Sequence, residues 1–313
     1  MKQIDLATGK EAVLLPEETL SCAIGNFDGV HLGHKALISL AAARQNTSKS
    51  AVWTFAEPSS RFLNGKPGLL SSVEERLSLF HELGIDIVFI EDFENVRDME
   101  ADVFAKEILY QRCHVRAAVC GFNFRYGKNA AGTAETLSEA FHALGASVTV
   151  MPPYQIGGVT VSSSETRAAL AAGDVETATA MLGRPYSLTG EVVAGKKLGR
   201  LLGFPTANQR FPEGRAVPRF GVYAVRAVVD GHTYPGVANV GVRPTVENTE
   251  NVNCETHLLR FDGDLYGKTI RVEFCRFLRP EKKFESPEAL REAVMHNIEE
   301  TAEYFRPETG HAS

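Results

Sequence analysis

The sequence has no Cys-x-x-Cys pair: its five cysteines, Cys22, Cys113, Cys120, Cys254 and Cys275, are odd in number and widely separated. That argues against a disulfide framework or a cysteine zinc site and reads as reduced thiols, some of them core residues, in a cytoplasmic chain. An excess of positive charge is missing too. With 33 Lys and Arg against 39 Asp and Glu, the net charge is −6. No broad basic field draws in a nucleic-acid backbone, although a local basic pocket for one nucleotide remains allowed. No segment approaches the roughly 18 apolar residues of a membrane span, and Asp5 in "MKQIDLATGK" stands where a secretory signal needs an apolar run. Without export, Asn46-Thr47-Ser48 is a chance match to a glycosylation acceptor. Internal repeats, low-complexity segments, dinucleotide fingerprints and Walker A loops are all lacking.

What is present is ordinary globular composition, 44% hydrophobic and 23% charged, over 313 residues. That length is about twice a typical single domain, so two domains are expected, each with its own core. The first half alternates strand-like runs ("LSCAIG", "SAVWTF", "IDIVFI", "VRAAVCG", "SVTVM") with segments of helical apolar spacing ("HKALISLAAARQ", "SVEERLSLFHELG", "ADVFAKEILYQR", "TAETLSEAFHALG"). Such alternation predicts a Rossmann-like α/β domain, a parallel sheet with helices on both faces and a ligand beyond the carboxyl ends of its strands. Two short helical patterns, "SSETRAALAAG" and "DVETATAMLG", follow, each closed by a glycine. From Ser187 the texture changes to β-rich segments separated by turns such as "VVDGHTY" and "RFDGDLYG". These predict a small antiparallel β-barrel domain. A last helix on that barrel opens with Ser286 as N-cap and Pro287 in the first turn. The boundary falls near Gly183 to Ser187, dividing the chain into 1–184 and 185–313.

"GNFDGVHLGH", residues 25 to 34, lies where a strand ends and a helix begins, the place where backbone N–H groups and the helix dipole favour an anion. His31 and His34, three residues apart, share one side of the opening helical turn. Paired imidazoles there can donate hydrogen bonds to a phosphate that gains charge in a pentavalent transition state, which is nucleotidyl-transfer chemistry. In "GFPTAN", Thr206 and Asn208 stand at i and i+2, on one side of extended backbone, and offer hard oxygen ligands suited to Mg²⁺. Upstream, "GKKLGRLLG" supplies glycines, Gly195 and Gly199, for close backbone approach, and Lys196 for phosphate charge.

"GNFDGVHLGH" resembles the signature of the nucleotidyltransferases that carry His-x-Gly-His, and in this wording it is similar to the bacterial bifunctional riboflavin kinase/FAD synthetases. "VCGFNFRYGKNAAG", "VSSSETRAALAAGD", "LGRPYSLTGEVVAGKKLGRLLGFPTAN", "GVANVGVRPT", "CETHLLRFDGDLYGK" and "LRPEKKFES" repeat the resemblance in the family's order, over nearly the whole chain. The resemblance implies two activities: phosphorylation of riboflavin to FMN by the barrel, and adenylylation of FMN to FAD, with release of pyrophosphate, by the N-terminal domain. Both would use ATP with Mg²⁺, leaving small molecules rather than nucleic acid or membrane as partners. It implies Glu255 as general base for riboflavin's 5′-hydroxyl, Thr206 and Asn208 as holders of metal and ATP phosphates, and Arg243 with the apolar C-terminal helix as closing the flavin site. In the N-terminal domain, Gly25, Asn26, Asp28, Gly33 and Asn123 would surround the nucleotide. Ser163, Ser164 and Arg167 would meet the leaving pyrophosphate at a helix start.

The chain departs from the family's pattern where a Thr-Phe-x-Pro-His-Pro segment is expected. It reads "TFAEPSSRF", with Ser59 and Ser60 in place of His-Pro, and it also has Thr166 where isoleucine is common. Three rival readings remain open: a riboflavin kinase with a weak, inactive or regulatory N-terminal domain, a flavin- or nucleotide-binding regulator without turnover, and an RNA-linked protein. Thr206, Asn208 and Glu255 argue against the regulator, and the acidic balance argues against the RNA-linked reading.

Overall fold

A computed structural model describes residues 1–6, 19–43, 48–63, 65–195, 199, 202–242 and 252–306. The chain folds into two compact units, Met1–Ser163 and Ser164–Ser313.

In the first unit, six strands form one wholly parallel sheet: β1 (Lys2–Asp5), β2 (Leu20–Ile24), β3 (Lys49–Phe55), β4 (Ile87–Glu91), β5 (Val115–Gly121) and β6 (Ser147–Met151), in the order β1-β4-β3-β2-β5-β6. Successive strand residues go to opposite faces, so the inner strands feed two cores. Cys22, Ile24, Trp53, Ile87 and Phe89 join one buried cluster, while Ala23, Val52 and Val88 between them join the other. Helices α1 (Leu32–Ala42) and α2 (Val73–Glu82) cover the second face with Leu37, Ile38, Leu79 and Phe80. The helix Phe104–Arg112 and α3 (Ala134–Ala143) cover the first with Phe104, Leu109, Leu137 and Phe141. Strand order reverses between β2 and β5, the point at which α/β sheets open a crevice for ligands.

Most of this agrees with the α/β expectation, and three details differ. The sequence reading starts the sheet at "LSCAIG", whereas "KQID" forms an edge strand before it. The segment 104–112 winds more widely than an α-helix, with the Cys113 N–H donating to Ile108 O at i−5. Its buried positions recur every four residues (104/108, 105/109), and the wider winding keeps both pairs on the sheet. Ala207–Arg210, where the sequence predicts extended backbone at Thr206–Asn208 without naming a strand, is a strand.

The helices α4 (Ser163–Ala172), whose first residue closes the first unit while the rest opens the second, and α5 (Val175–Leu182) end on left-handed Gly173 and Gly183 as the sequence suggested. A six-stranded antiparallel barrel follows: β7 (Tyr186–Glu191), β8 (Ala207–Arg210), β9 (Gly221–Val229), β10 (His232–Val242), β11 (Val252–Leu258) and β12 (Thr269–Pro280), in the order β7-β12-β9-β10-β11-β8. A bridge beyond β7, in which the Val193 N–H donates to Asn208 O at 2.8 Å, closes the ring. Inside, Tyr186, Tyr223 and Phe274 pack ring on ring, and the fully buried Gln209 donates Nε2–H to Gly190 O and Ile270 O. Asp230 and Gly231, both left-handed, make the two-residue turn between β9 and β10.

The C-terminal helix α6 (Pro287–Tyr304) is capped by Ser286 as expected, its side chain accepting from the Ala289 N–H. The expectation that this helix is apolar is corrected. Its fully buried residues are Asn297 and Thr301, and Asn297 Oδ1 accepts from Arg279 Nε at 3.0 Å. The apolar Met295 is exposed.

Candidate active sites

The turn between β2 and α1 is held in a conformation that short-range propensity disfavours. Phe27, Gly29 and Val30 have φ of 50°, 79° and 41°, a cost of order 1–3 kcal/mol for each non-glycine residue that the surroundings must offset. They do so by burial and by hydrogen bonds. Phe27 and Val30 are in the core, and the Gly29 N–H donates to Ser71 Oγ at 2.8 Å. The buried Asp28 accepts from the Leu70 and Ser71 N–H groups through Oδ1, at 2.9 and 3.2 Å. Ser163 Oγ donates to Asp28 O at 2.9 Å. Asp28 and Ser163, expected beside the nucleotide, are thus brought together as anchors of the turn.

His31 is the N-cap of α1, its Nδ1 accepting from the His34 N–H at 3.2 Å. That bond leaves Nδ1 without a proton, so the neutral ring carries its hydrogen on Nε2. The two imidazoles stack, with centroids 3.5 Å apart and planes 17° apart, and the edge of His34 meets Phe27. A Cβ on Gly33 would come 3.3 Å from the His31 ring and from Tyr154 Cβ, so glycine keeps this pair uncrowded. A Cβ on Gly25 would likewise come 3.1 Å from the Phe27 ring. Burial holds His34 well below the ordinary imidazole range, with His31 and then the Arg76 guanidinium adding to the shift. His34 is therefore neutral at pH 7, and its Nδ1 is sealed from solvent without a partner among the described residues, which leaves Nε2 as the nitrogen that can meet a ligand.

Asn26 is gripped from two directions. Its Oδ1 accepts from both the N–H and the Oγ of Ser59, at 3.0 and 3.2 Å. The departure from His-Pro therefore puts Ser59 into the site as a fastener. From the other side the buried Arg76 donates NH1 to Asn26 O, Thr54 Oγ1 and Phe55 O, and NH2 to Ala56 O, at 2.6–3.1 Å. Burial pulls Arg76 below the usual guanidinium range, opposed by Asp28 and then Glu74, yet a guanidinium stays charged at neutral pH. Sequence reasoning missed this residue. The signal was there: Arg76 stands on the apolar stripe of α2 with Leu79 and Phe80, where a cation needs a reason. Asn123 is exposed just past the end of β5, across the order reversal from the histidine turn, and a Cβ on Gly121 would lie 3.3 Å from its Oδ1.

Ser164 and Arg167 lie in the opening turns of α4, and Thr166 beside them is fully buried, its Oγ1 3.7 Å from Met181 Sδ. In the barrel, ladder register makes the second constellation. Asn208 on β8 is directly opposite Glu255 on β11, and Glu255 is directly opposite Asn239 on β10. Cross-strand neighbours of this kind have Cβ atoms about 4.5–5.5 Å apart. Asn208 is buried and Glu255 half-buried. Asn208 Nδ2 donates to the carbonyl of half-buried Thr206 at 3.2 Å, and His257 Nδ1 lies 2.9 Å from Pro205 O. The loop before β8 runs tight against this row. A Cβ on Gly195 would stand 2.6 Å from Asn208 Nδ2, and one on Gly199 would stand 2.5 Å from Phe204 O. Lys196 and Arg243 lie outside the described residues.

Residues 16–165 match the family model for FAD synthetase, and residues 182–305 match that for riboflavin kinase. Proteins named bifunctional riboflavin kinase/FMN adenylyltransferase align along most of their length. The one from Bacillus subtilis is 36% identical over 90% of this chain and 92% of its own. That from Pseudomonas fluorescens is 38% identical over 88% and 89%, and that from Escherichia coli K12 is 35% identical over 93% and 94%. A crystal structure from Streptococcus pneumoniae, described as a macrolide-efflux protein, superposes with a TM-score of 0.84 at 28% identity, covering 96% of this chain and 99% of that one. Among the described residues no helix is long and apolar enough to cross a membrane. With a FAD synthetase domain and a riboflavin kinase domain on one chain, and relatives matched nearly end to end, this protein belongs to the bifunctional riboflavin kinase/FMN adenylyltransferase family.

Proposed function

We propose that the protein converts riboflavin to FMN at the barrel and FMN to FAD at the parallel sheet, with residues 185–313 and 1–184 as the respective domains. The observation that carries this reading is the presence of both constellations on one chain: stacked imidazoles at the N-terminus of α1, and Glu255 in register with Asn208. A kinase-only reading would leave the strained, clamped histidine turn without a use.

At the barrel, the Glu255 carboxylate takes the proton of the 5′-hydroxyl as that oxygen attacks the γ-phosphorus of ATP, and ADP leaves. Thr206 and Asn208, with Gly195, Lys196 and Gly199 upstream, hold the phosphates. The Thr206 hydroxyl and the Asn208 carboxamide oxygen are hard oxygen donors of the kind that fits Mg²⁺, with waters and phosphates supplying further ligands. When bound, the ion would neutralise charge on the phosphates; Thr206 and Asn208 are the residues assigned to hold it.

At the sheet, an FMN phosphate oxygen attacks the α-phosphorus of ATP, the bond to the bridging oxygen breaks and pyrophosphate departs. His31 and His34 donate hydrogen bonds from Nε2 to the charge that develops on the α-phosphoryl oxygens. Asn26, Asn123, Ser164 and Arg167 bind the nucleotide and the leaving group, Gly25 and Gly33 let backbone approach, and Asp28 and Ser163 hold the turn. The site of action is the cytoplasm. The test is incubation of purified protein with riboflavin, ATP and Mg²⁺, with flavins separated over time. FMN followed by FAD is expected; FMN alone, with supplied FMN left unconverted, would overturn the adenylyltransferase assignment.

A further inference from the structure

We propose that Arg76 is a positioning residue for adenylyl transfer, acting with Ser59 to fix the Asn26 carboxamide so that its NH₂ group is a donor reserved for substrate phosphate. This rests on the adenylyltransferase reading above and goes beyond it by assigning work to residues that never touch the nucleotide.

Arg76 donates every one of its hydrogen bonds to oxygen atoms at the carboxyl ends of β2 and β3: the Asn26, Phe55 and Ala56 carbonyls and the Thr54 hydroxyl. These strands are neighbours in the sheet, and β2 borders the order reversal. A planar guanidinium reaches several carbonyls at once; an ammonium is a point charge and cannot do so. Fixing the Asn26 carbonyl fixes the backbone from which its side chain springs. Ser59 then sets the side chain's orientation, because two donors on Oδ1 allow only one assignment of oxygen and nitrogen. The result is a carboxamide whose acceptor end is used inside the protein and whose donor end has no partner among the described residues. Beside it stands a buried cation, 2% exposed, with no carboxylate within ion-pair distance among the described residues. Both features favour an anion in the crevice, and a donor held in place loses little freedom when the anion arrives. Thr54 belongs to the same clamp: its Oγ1 donates to Asn26 O at 3.2 Å while accepting from Arg76.

The experiment uses the full chain and three variants, Asn26→Asp, Ser59→Ala and Arg76→Lys. FMN adenylylation is measured against ATP concentration, ATP binding is measured directly without flavin, and riboflavin phosphorylation and thermal unfolding report on folding. Asn26→Asp retains the acceptor for Ser59 and replaces the two donors by a carboxylate oxygen. It should raise KM and the dissociation constant for ATP by about tenfold or more, with kinase rate and unfolding temperature unchanged. Arg76→Lys keeps the charge and loses the fork, so it should lower kcat/KM for adenylylation several-fold. Ser59→Ala should raise KM for ATP by a few-fold, and restoring a hydroxyl with Thr should recover most of the loss. ATP binding and adenylylation within twofold of the parent in both Asn26→Asp and Arg76→Lys would overturn the proposal. So would losses that follow the unfolding temperature alone. If the parent chain binds ATP but makes no FAD, the adenylyltransferase reading fails, and the effect of Asn26→Asp on ATP binding still decides the role of the clamp.

Discussion

The two constellations are built by different means. In the barrel, Asn208, Glu255 and Asn239 stand on regular strands, and ladder register alone sets them side by side. At the parallel sheet, the residues stand on turns beyond the strand ends, where no ladder positions them. There the chain uses left-handed backbone at Phe27 and Val30, a buried guanidinium and side-chain fasteners from distant segments. A site on a ladder inherits its geometry from the fold, whereas a site on turns needs residues whose only task is to hold it.

Separating the two chemistries gives the largest expected effect. Glu255→Gln should lower FMN formation by about 10²–10⁴-fold while sparing FAD formation from supplied FMN, and the double change His31→Ala with His34→Ala should do the reverse. Both reactions lost in either variant would break the comparison. Next, packing that supports the first unit should be sensitive to one added methyl. A Cβ on Gly132 would come 2.6 Å from the buried Tyr126 ring, so Gly132→Ala should cost about 1–3 kcal/mol in denaturant unfolding. In the barrel, Gly195→Ala, which drives a methyl to 2.6 Å from Asn208 Nδ2, should slow the kinase about tenfold with adenylylation unchanged.

A smaller effect distinguishes the units by pH. His34 has a folded pKa well below its unfolded value, which is about 6.5. The unfolded state therefore takes up a proton first as pH falls, and stability present above about pH 6.5 is lost progressively below it. Unfolding of the parent protein, compared with His34→Asn, should show this slope reduced in the variant. The smallest effect is expected at the exposed Lys268–Asp230 pair, 2.6 Å apart, where solvent and side-chain entropy offset the attraction. Lys268→Ala should leave the unfolding temperature unmoved.

Much of this was legible in the sequence for identifiable reasons. Inner strands of the parallel sheet are buried on both faces and read as continuous apolar runs, while the barrel declares itself through turns such as Asp230-Gly231. The histidine pair was legible because its spacing is local. Arg76 shows in the sequence only as a cation on an apolar stripe and Ser59 only as a departure from His-Pro; what they hold was not legible, because their partner Asn26 is 50 and 33 residues away, beyond any periodicity. The strand Lys2–Asp5 was missed because it is short, polar and at the edge. Ala207–Arg210 was legible as extended backbone at Thr206–Asn208 but not as a member of the barrel, because "ANQR" buries an asparagine and a glutamine, which binary patterning assigns to a loop.

The ring closure of the barrel has a consequence for its breathing. Among the described residues, β7 and β8 are joined across the seam by the Val193–Asn208 backbone bridge and, from inside, by the Gln209 carboxamide on Gly190 O. Strand pairs elsewhere in the ring share ladders of four to nine paired residues, so the seam is the least protected line against local opening. The Val193 amide is accordingly a native-state reporter: its hydrogen-exchange rate measures how often the ring parts at Asn208. Whatever binds Asn208 only in the closed ring must slow that exchange in proportion to its occupancy, so the affinity of the kinase site can be read from a single backbone hydrogen without observing turnover.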